Sequence, residues 1–233
     1  DSPLRSGTID VKYMTAKEED ILTSTNLIEQ GVVITRLLES IIVTPGVKLD
    51  DLILGDKNAI MIGTRILGYG SKYDILLTDP DSQERVEYAV DLSKLGNKPI
   101  DVEWYENGNN FEYTLPNSKR VLKFKLLTHG DEKKVSEIQK DYEKVEQLTG
   151  VSHELTTRLK YQIQSVDGNT DQKFIDNFVD NEFLALDTRE FRKHLLLINP
   201  DIDLSFEYTS QQGNKHKIDI PLGLDFFWPA GDK

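Results

Sequence analysis

The sequence contains no cysteine and only four histidines among its 233 residues. Without cysteine, a disulfide framework, a thiolate nucleophile and a thiolate-ligated zinc are all excluded. The histidines are His129, His153, His194 and His216, and no two of them have the HExxH spacing or another ligand spacing. The sequence therefore predicts no metal site and no cofactor.

The chain is also short of basic residues and of long apolar runs. Lys and Arg number 28 against 40 Asp and Glu, so the formal charge is −12. Such a field repels phosphate and disfavours nucleic-acid binding. No apolar run approaches the roughly 18 residues that span a bilayer, so we expect a soluble protein without membrane contact. Because the chain begins at Asp1 rather than Met, we expect further residues upstream.

Motifs of catalysis are missing as well. There is no GxSxG and no P-loop, and the glycines of Gly68-Tyr-Gly70 follow a predicted helix, whereas a dinucleotide fingerprint follows a strand. Asp201 and Asp203 share one face of an extended segment and could hold a cation. A helix stop that leads into an edge strand is the favoured interpretation. Carboxylate pairs are too common in this chain to indicate a glycosidase, so the sequence predicts a protein that is not an enzyme.

Hydrophobic periodicity predicts an α+β fold: helices with an antiparallel meander, then a helical segment and a C-terminal β-hairpin. The predicted helices cover residues 16–23, 27–43, 56–67, 131–148, 174–179 and 188–198. The predicted strands cover residues 8–14, 73–78, 85–90, 101–105, 111–115 and 121–127, and the two arms of the hairpin 203–220. Segment 151–166 fits either a helix or a strand. We expect three parts, at residues 1–129, 130–200 and 201–233.

The start of the first predicted helix carries a capping box. Thr15 stands three residues before Glu18, so the hydroxyl can accept a backbone N–H while the carboxylate reaches back to the cap. We interpret Thr15 and Glu18 as a structural cap rather than as a binding epitope. The later helix 188–198 is expected to be capped in a similar way by Asp187.

Two sets of apolar residues are candidates for partner binding. The helix 131–148 has a narrow stripe that includes Val135, Ile138 and Tyr142, which suits either a partner helix or a solvated connector. The chain then closes on an aromatic cluster, Phe226-Phe227-Trp228. Aromatic side chains dominate many interfaces, but an isolated hairpin is marginal in water and needs an apolar surface to pack on. Internal packing is the favoured role for the cluster, and a partner anchor is the alternative.

Three stretches together resemble a known family. They are KYMTAKEEDIL at residues 12–22, LGDKNAIMIGTRILGYG at residues 54–70, and the terminal pair PDID at 200–203 and FFWP at 226–229. They resemble the baseplate-hub protein family of T-even-like contractile-tailed bacteriophages. The resemblance implies a structural or assembly protein of the virion tail baseplate, without enzymatic activity. Its partners would be other hub and tail proteins, the tape-measure protein among them, and further copies of itself.

The resemblance leaves alternatives open. One is a tail-assembly chaperone that holds the tape-measure protein in the host cytoplasm and is absent from the mature virion. A more distant one is an enzyme such as a cell-wall hydrolase. Relatives often carry a C-x-x-C pair, like a zinc knuckle, in the loop between the last two strands. The matching loop here is Ser210–Gly213, which has no cysteine, so the resemblance implies no metal function for this chain.

Overall fold

The computed structural model describes residues 7–227, and they fall into two compact units. Unit 1 comprises the described residues of Asp1–Leu49, Gly55–Lys98 and Asp201–Lys233, and unit 2 comprises Asp50–Leu54 and Pro99–Pro200. This division differs from the three parts expected from the sequence. The predicted meander is shared between the units, and the terminal hairpin belongs with the N-terminal residues.

The α+β class is confirmed. Eight α-helices are described: α1 Ala16–Thr23, α2 Thr25–Glu29, α3 Val33–Ile41, α4 Leu54–Tyr69, α5 His129–Thr149, α6 Glu154–Gln162, α7 Gln172–Asn177 and α8 Ala185–Ile198. Seven strands are described: β1 Lys72–Thr78, β2 Arg85–Asp91, β3 Phe111–Thr114, β4 Val121–Phe124, β5 Ile163–Val166, β6 Ser205–Thr209 and β7 Lys215–Asp219.

The strands form three separate antiparallel sheets instead of one continuous meander. Unit 1 holds the hairpins β1–β2 and β6–β7, and unit 2 holds the three-stranded sheet β3–β4–β5. The strand predicted at 101–105 is wrong, because Val102–Tyr105 forms a 3₁₀ turn. The Asp101 carboxylate accepts the backbone N–H of Glu103 at 3.0 Å and thereby caps that turn.

The N-terminal elements follow the prediction only in part. The strand expected at 8–14 is reduced to one bridge between Val11 and Ile42. The helix expected at 27–43 is interrupted, because Gly31 adopts a φ of 68° between α2 and α3. Glycine has no Cβ to oppose this left-handed conformation. The apolar spacing at 34–42 therefore belongs to α3 alone, where Leu37 and Leu38 are fully buried.

Segment 151–166 contains both of the structures that its sequence allowed. Helix α6 ends at Gln162, and the chain continues directly into β5 at Ile163. Strand β5 pairs with β4, so that Leu122 lies opposite Val166. The alternation of Leu159, Tyr161 and Ile163 therefore marks the junction of a helix and a strand.

Asp187 is not the cap of α8, which begins at Ala185. Its carboxylate is fully buried and accepts the backbone N–H groups of Asn117 at 2.8 Å and Ser118 at 2.9 Å. Burial alone would raise the pKa of Asp187, but the donors of Ser118 and Asn117 outweigh it and lower the pKa to about 2. The residue thus fastens the β3–β4 turn to α8 and so positions one wall of the surface described below.

The core of unit 2 lies between its sheet and helices α6, α7 and α8. The ring of Phe124 on β4 meets Phe191 on α8 edge to face, with 4.9 Å between the centroids. Leu159 from α6 and Ile198 from the end of α8 are buried in the same cluster. Helices α6 and α8 also have exposed side chains outside this core, among them Leu155 and Leu196.

Candidate interaction surface

At the predicted cap in unit 1, Thr15 is exposed and Glu18 is fully buried. The Glu18 carboxylate accepts the backbone N–H of Thr15 at 2.9 Å and its hydroxyl at 2.7 Å. The same carboxylate accepts from Lys12 Nζ at 2.8 Å and from the hydroxyl of Ser40 at 2.6 Å. Lys12 and Ser40 hold the pKa of Glu18 far below its usual range. The cap therefore also joins α1 to α3.

The terminal aromatics lie inside unit 1 as far as the structure describes them. Phe226 and Phe227 have no exposed surface, and Trp228 lies outside the described residues. The Phe226 ring meets Tyr73 of β1 edge to face at 5.0 Å. Arg65 of α4 donates from Nε to the Phe226 carbonyl at 3.0 Å. Helix α4 and strand β1 thus supply part of the packing surface for Phe226.

The terminal hairpin is fastened to the β1–β2 hairpin by a buried hydrogen bond. The hydroxyl of Tyr208 donates to Asp79 Oδ2 at 2.6 Å. This bond lowers the pKa of Asp79 to about 2 and raises that of Tyr208 to about 12. Beside it, the ring of Tyr88 stacks on Phe206 and meets Tyr208 edge to face, both at 5.3 Å. These contacts therefore hold the terminal hairpin against β1–β2, and the sequence alone did not predict them.

A second carboxylate holds the loop in which relatives of the resembled family often carry a C-x-x-C pair. Asp81 accepts from the hydroxyl of Ser210 and from Asn214 Nδ2 at 3.0 Å, and His216 Nε2 lies 3.2 Å from the same oxygen. These donors hold the pKa of Asp81 below its usual value. Without thiolates, and with its imidazole turned towards Asp81, this loop does not fit a tetrahedral zinc site.

The carboxylates of Asp201 and Asp203 are occupied by donors of the protein. Asp201 accepts from Asn58 Nδ2 at 3.0 Å and lies 3.4 Å from Lys98 Nζ. Asp203 lies 3.6 Å from Lys217 Nζ. These contacts support the structural interpretation of this pair. Within residues 7–227 no group of three His, Asp or Glu side chains could hold a metal ion.

The stripe of α5 faces α6 of the same unit along much of its length. Val135 is buried and Ile138 is half-buried. Tyr142 keeps 38 % of its surface exposed, and its ring is tilted against His153 at 5.0 Å. Glu146 accepts the backbone N–H of His153 at 2.9 Å. Of the three predicted residues, Tyr142 has the most surface free for a partner.

Unit 2 has a groove between α6 and α8, with a volume of about 440 Å³. Its lining is rich in leucine and arginine: Leu54, Leu126, Leu127, Glu132, Leu155, Arg158, Leu159, Gln162, Arg189, Arg192, Lys193, Leu195, Leu196 and Asn199. Positions 155, 158, 159 and 162 form one face of α6, and positions 189, 192, 193 and 196 form one face of α8. Each wall is therefore a single helix face two turns long.

The groove combines an apolar floor with a basic rim. Four cations line it against one carboxylate, although the whole chain carries a charge of −12. Arg189 and Lys193 both pair with Glu190, at 3.1 and 2.9 Å, and Arg158 pairs with Glu132. Arg158 also lies 3.7 Å from Glu154, so four cations face three carboxylates and the rim keeps an excess of one positive charge.

Sequence reasoning missed this groove, although one signal was present. Arg189, Arg192, Lys193 and Leu196 recur at the spacing of a single helix face. A basic face is unusual in so acidic a chain. The other wall could not be recognised, because the helix or strand assignment of 151–166 was open.

The described residues thus combine hydrogen-bonded carboxylates that join separate elements with a leucine-lined groove. No described helix is long and apolar enough to cross a membrane. The family model for T4 bacteriophage base plate protein matches residues 2–228. The chain is therefore a structural protein of a phage tail by class, and it belongs to the T4 base plate protein family. Neither the curated proteins nor the solved structures gave a match.

Proposed function

We propose that the protein is a structural subunit of the baseplate hub and that it binds neighbouring tail proteins through unit 2. Membership of the base plate family supports a role in the tail. The finer assignment to the hub rests on the resemblance of the KYMTAKEED and FFWP segments. The partners are other hub and tail proteins, the tape-measure protein among them.

The distribution of exposed apolar side chains carries the binding role. Among the described residues, sixteen large apolar side chains are exposed, and eleven of them belong to unit 2. These are Leu54, Val102, Trp104, Tyr142, Leu148, Val151, Leu155, Leu184, Leu186, Leu196 and Leu197. Contiguous apolar exposure is typical of surfaces that bind other proteins, and the larger share of exposed apolar side chains favours unit 2 for that role. In unit 1, by contrast, the aromatic side chains of Phe226 and Phe227 have no exposed surface.

Mass spectrometry of purified virions and of isolated baseplates tests this proposal. A hub subunit should be present in both preparations and enriched in baseplates relative to whole tails. A non-structural protein of the same phage is the control for contamination. If the protein is required for tail formation but absent from virions, the chaperone alternative replaces the hub assignment. If the hub proposal is right, cross-links formed within intact baseplates should join neighbouring proteins to residues of unit 2.

A further inference from the structure

The α6–α8 groove has the apolar lining of a site for a helix. Its floor is closed by buried leucines, among them Leu126, Leu127 and Leu159. Its edges are open, because Leu155 is 41 % exposed and Leu196 is 78 % exposed. Walls two turns long extend about 10 Å along the helix axes. An amphipathic helix binds such a groove by placing apolar side chains at every third or fourth position onto the floor.

The charge of the rim indicates the character of the occupant. Arg192 is exposed on α8 and forms no hydrogen bond or ion pair within the described residues. Arg189 and Lys193 share a single carboxylate, that of Glu190. Three cations on one helix face thus have one acidic partner between them. Carboxylates from an incoming segment would complete charge-assisted hydrogen bonds here.

From these two features we propose that the groove binds an acidic amphipathic helical segment of another tail protein. The inference rests on the proposed function, in which unit 2 binds tail partners, and it specifies the chemistry of the segment. The segment carries leucine-like residues on one face and Asp or Glu beside them. A second copy of this chain is disfavoured as the occupant, because two chains of charge −12 repel each other.

The test uses the whole protein and a pair of synthetic peptides. One fluorescent peptide of about 16 residues has Leu at every third or fourth position and Glu on its polar face, and its twin has Lys in place of Glu. Binding is measured by fluorescence anisotropy at two salt concentrations. The acidic peptide should bind at least about tenfold more tightly than the basic one, and added salt should narrow the difference.

Matched variants assign the binding to the groove. Leu196→Glu should weaken binding of the acidic peptide about tenfold or more, whereas Leu197→Glu should leave it within about twofold. Both residues are exposed on α8, at 78 % and 64 %, and only Leu196 lines the groove. Arg192→Glu should weaken binding and reduce its salt dependence. Lys173→Glu makes the same charge change at an exposed position of α7 outside the groove and should have no effect.

The results of these measurements distinguish the proposed occupant of the groove from the alternatives. Equal binding of the two peptides, or equal effects of the Leu196 and Leu197 variants, overturns the proposal. Self-association in sedimentation equilibrium that Leu196→Glu abolishes also overturns it, because the occupant is then a second copy. Peptide binding by a protein that is missing from virions keeps the groove assignment and rejects the hub assignment. Presence in virions without peptide binding keeps the hub assignment and rejects the groove assignment.

Discussion

Replacing Phe226 with alanine tests whether the aromatic end of the chain is core or docking peptide. Phe226 has no exposed surface and meets Tyr73 and Phe227 edge to face, at 5.0 and 5.4 Å between centroids. Its carbonyl also accepts from Arg65, a bond that the substitution leaves in place. The change therefore removes side-chain packing alone.

The expected loss of stability is large. Truncating a buried phenylalanine to alanine costs about 3–5 kcal/mol, because transfer free energy is lost and a cavity remains. Domains of this size are stable by about 5–15 kcal/mol, so the change removes a substantial part of the stability of unit 1. Phe226→Leu should cost about 1–1.5 kcal/mol, since it keeps most of the volume and loses the aromatic contacts.

Hydrogen exchange followed by mass spectrometry can locate the effect within the chain. If unit 1 exchanges through unfolding, 3–5 kcal/mol corresponds to acceleration of about 10²- to 10³-fold or more in β1–β2. Peptides from β3–β4 in unit 2 should keep their protection. Leu76→Ala, at a position of β1 that is 62 % exposed, is the control and should stay within about 0.5 kcal/mol of wild type. If Phe226→Ala behaves like Leu76→Ala, the terminus is not part of the core.

Three further outcomes follow from the contacts in unit 1. Thr15→Ala should lower the free energy of unfolding by about 1 kcal/mol in urea titrations, and an unchanged midpoint would contradict the cap. The Asp79–Tyr208 bond gives a pH signature: the Asp79 pKa is lowered from 3.8 to about 2 and the Tyr208 pKa is raised from 10.0 to about 12. The stabilisation from this bond is fully present between pH 3.8 and pH 10.0, the pKa values of the two groups in the unfolded chain. It is lost as pH falls through about 2 and as pH rises through about 12. The melting-temperature difference between wild type and Tyr208→Phe should therefore shrink at both extremes, and a constant difference would argue against this bond. Elemental analysis should find no stoichiometric zinc, because the terminal loop supplies no thiolate.

The sequence predicted elements well where one local period ran without competition. Helix α1 lies at its predicted bounds, 16–23, because the capping box fixes its start. The β1–β2 hairpin lies within one residue of its prediction, because alternation and the turn cluster at Asp79–Ser82 agree. The predicted helix 131–148 likewise corresponds closely to α5. In each case local propensity and burial point to the same structure.

The features that the sequence could not predict depend on contacts between residues that are far apart in the chain. Asp187 resembled a helix cap, but it binds the turn at 117–118, seventy positions earlier. Asp79 directly follows β1, and no local pattern indicates that its carboxylate accepts from Tyr208, 129 positions later. The groove likewise depends on residues of both α6 and α8. The sequence of neither helix predicts this, because hydrophobic periodicity shows which face of a helix is apolar but not which element packs beside it.

The terminal aromatic cluster and the α6–α8 groove differ in the free energy needed to make their apolar side chains accessible to a partner. A partner that used Phe226 would first have to expose it, at a cost of about 3–5 kcal/mol. That cost alone would weaken its affinity by about two to four orders of magnitude. The edges of the α6–α8 groove are exposed already, so a segment that binds there loses nothing to opening the core. Substitutions at Leu196 should therefore impair assembly without lowering stability, whereas substitutions at Phe226 should impair assembly only as far as they destabilise unit 1.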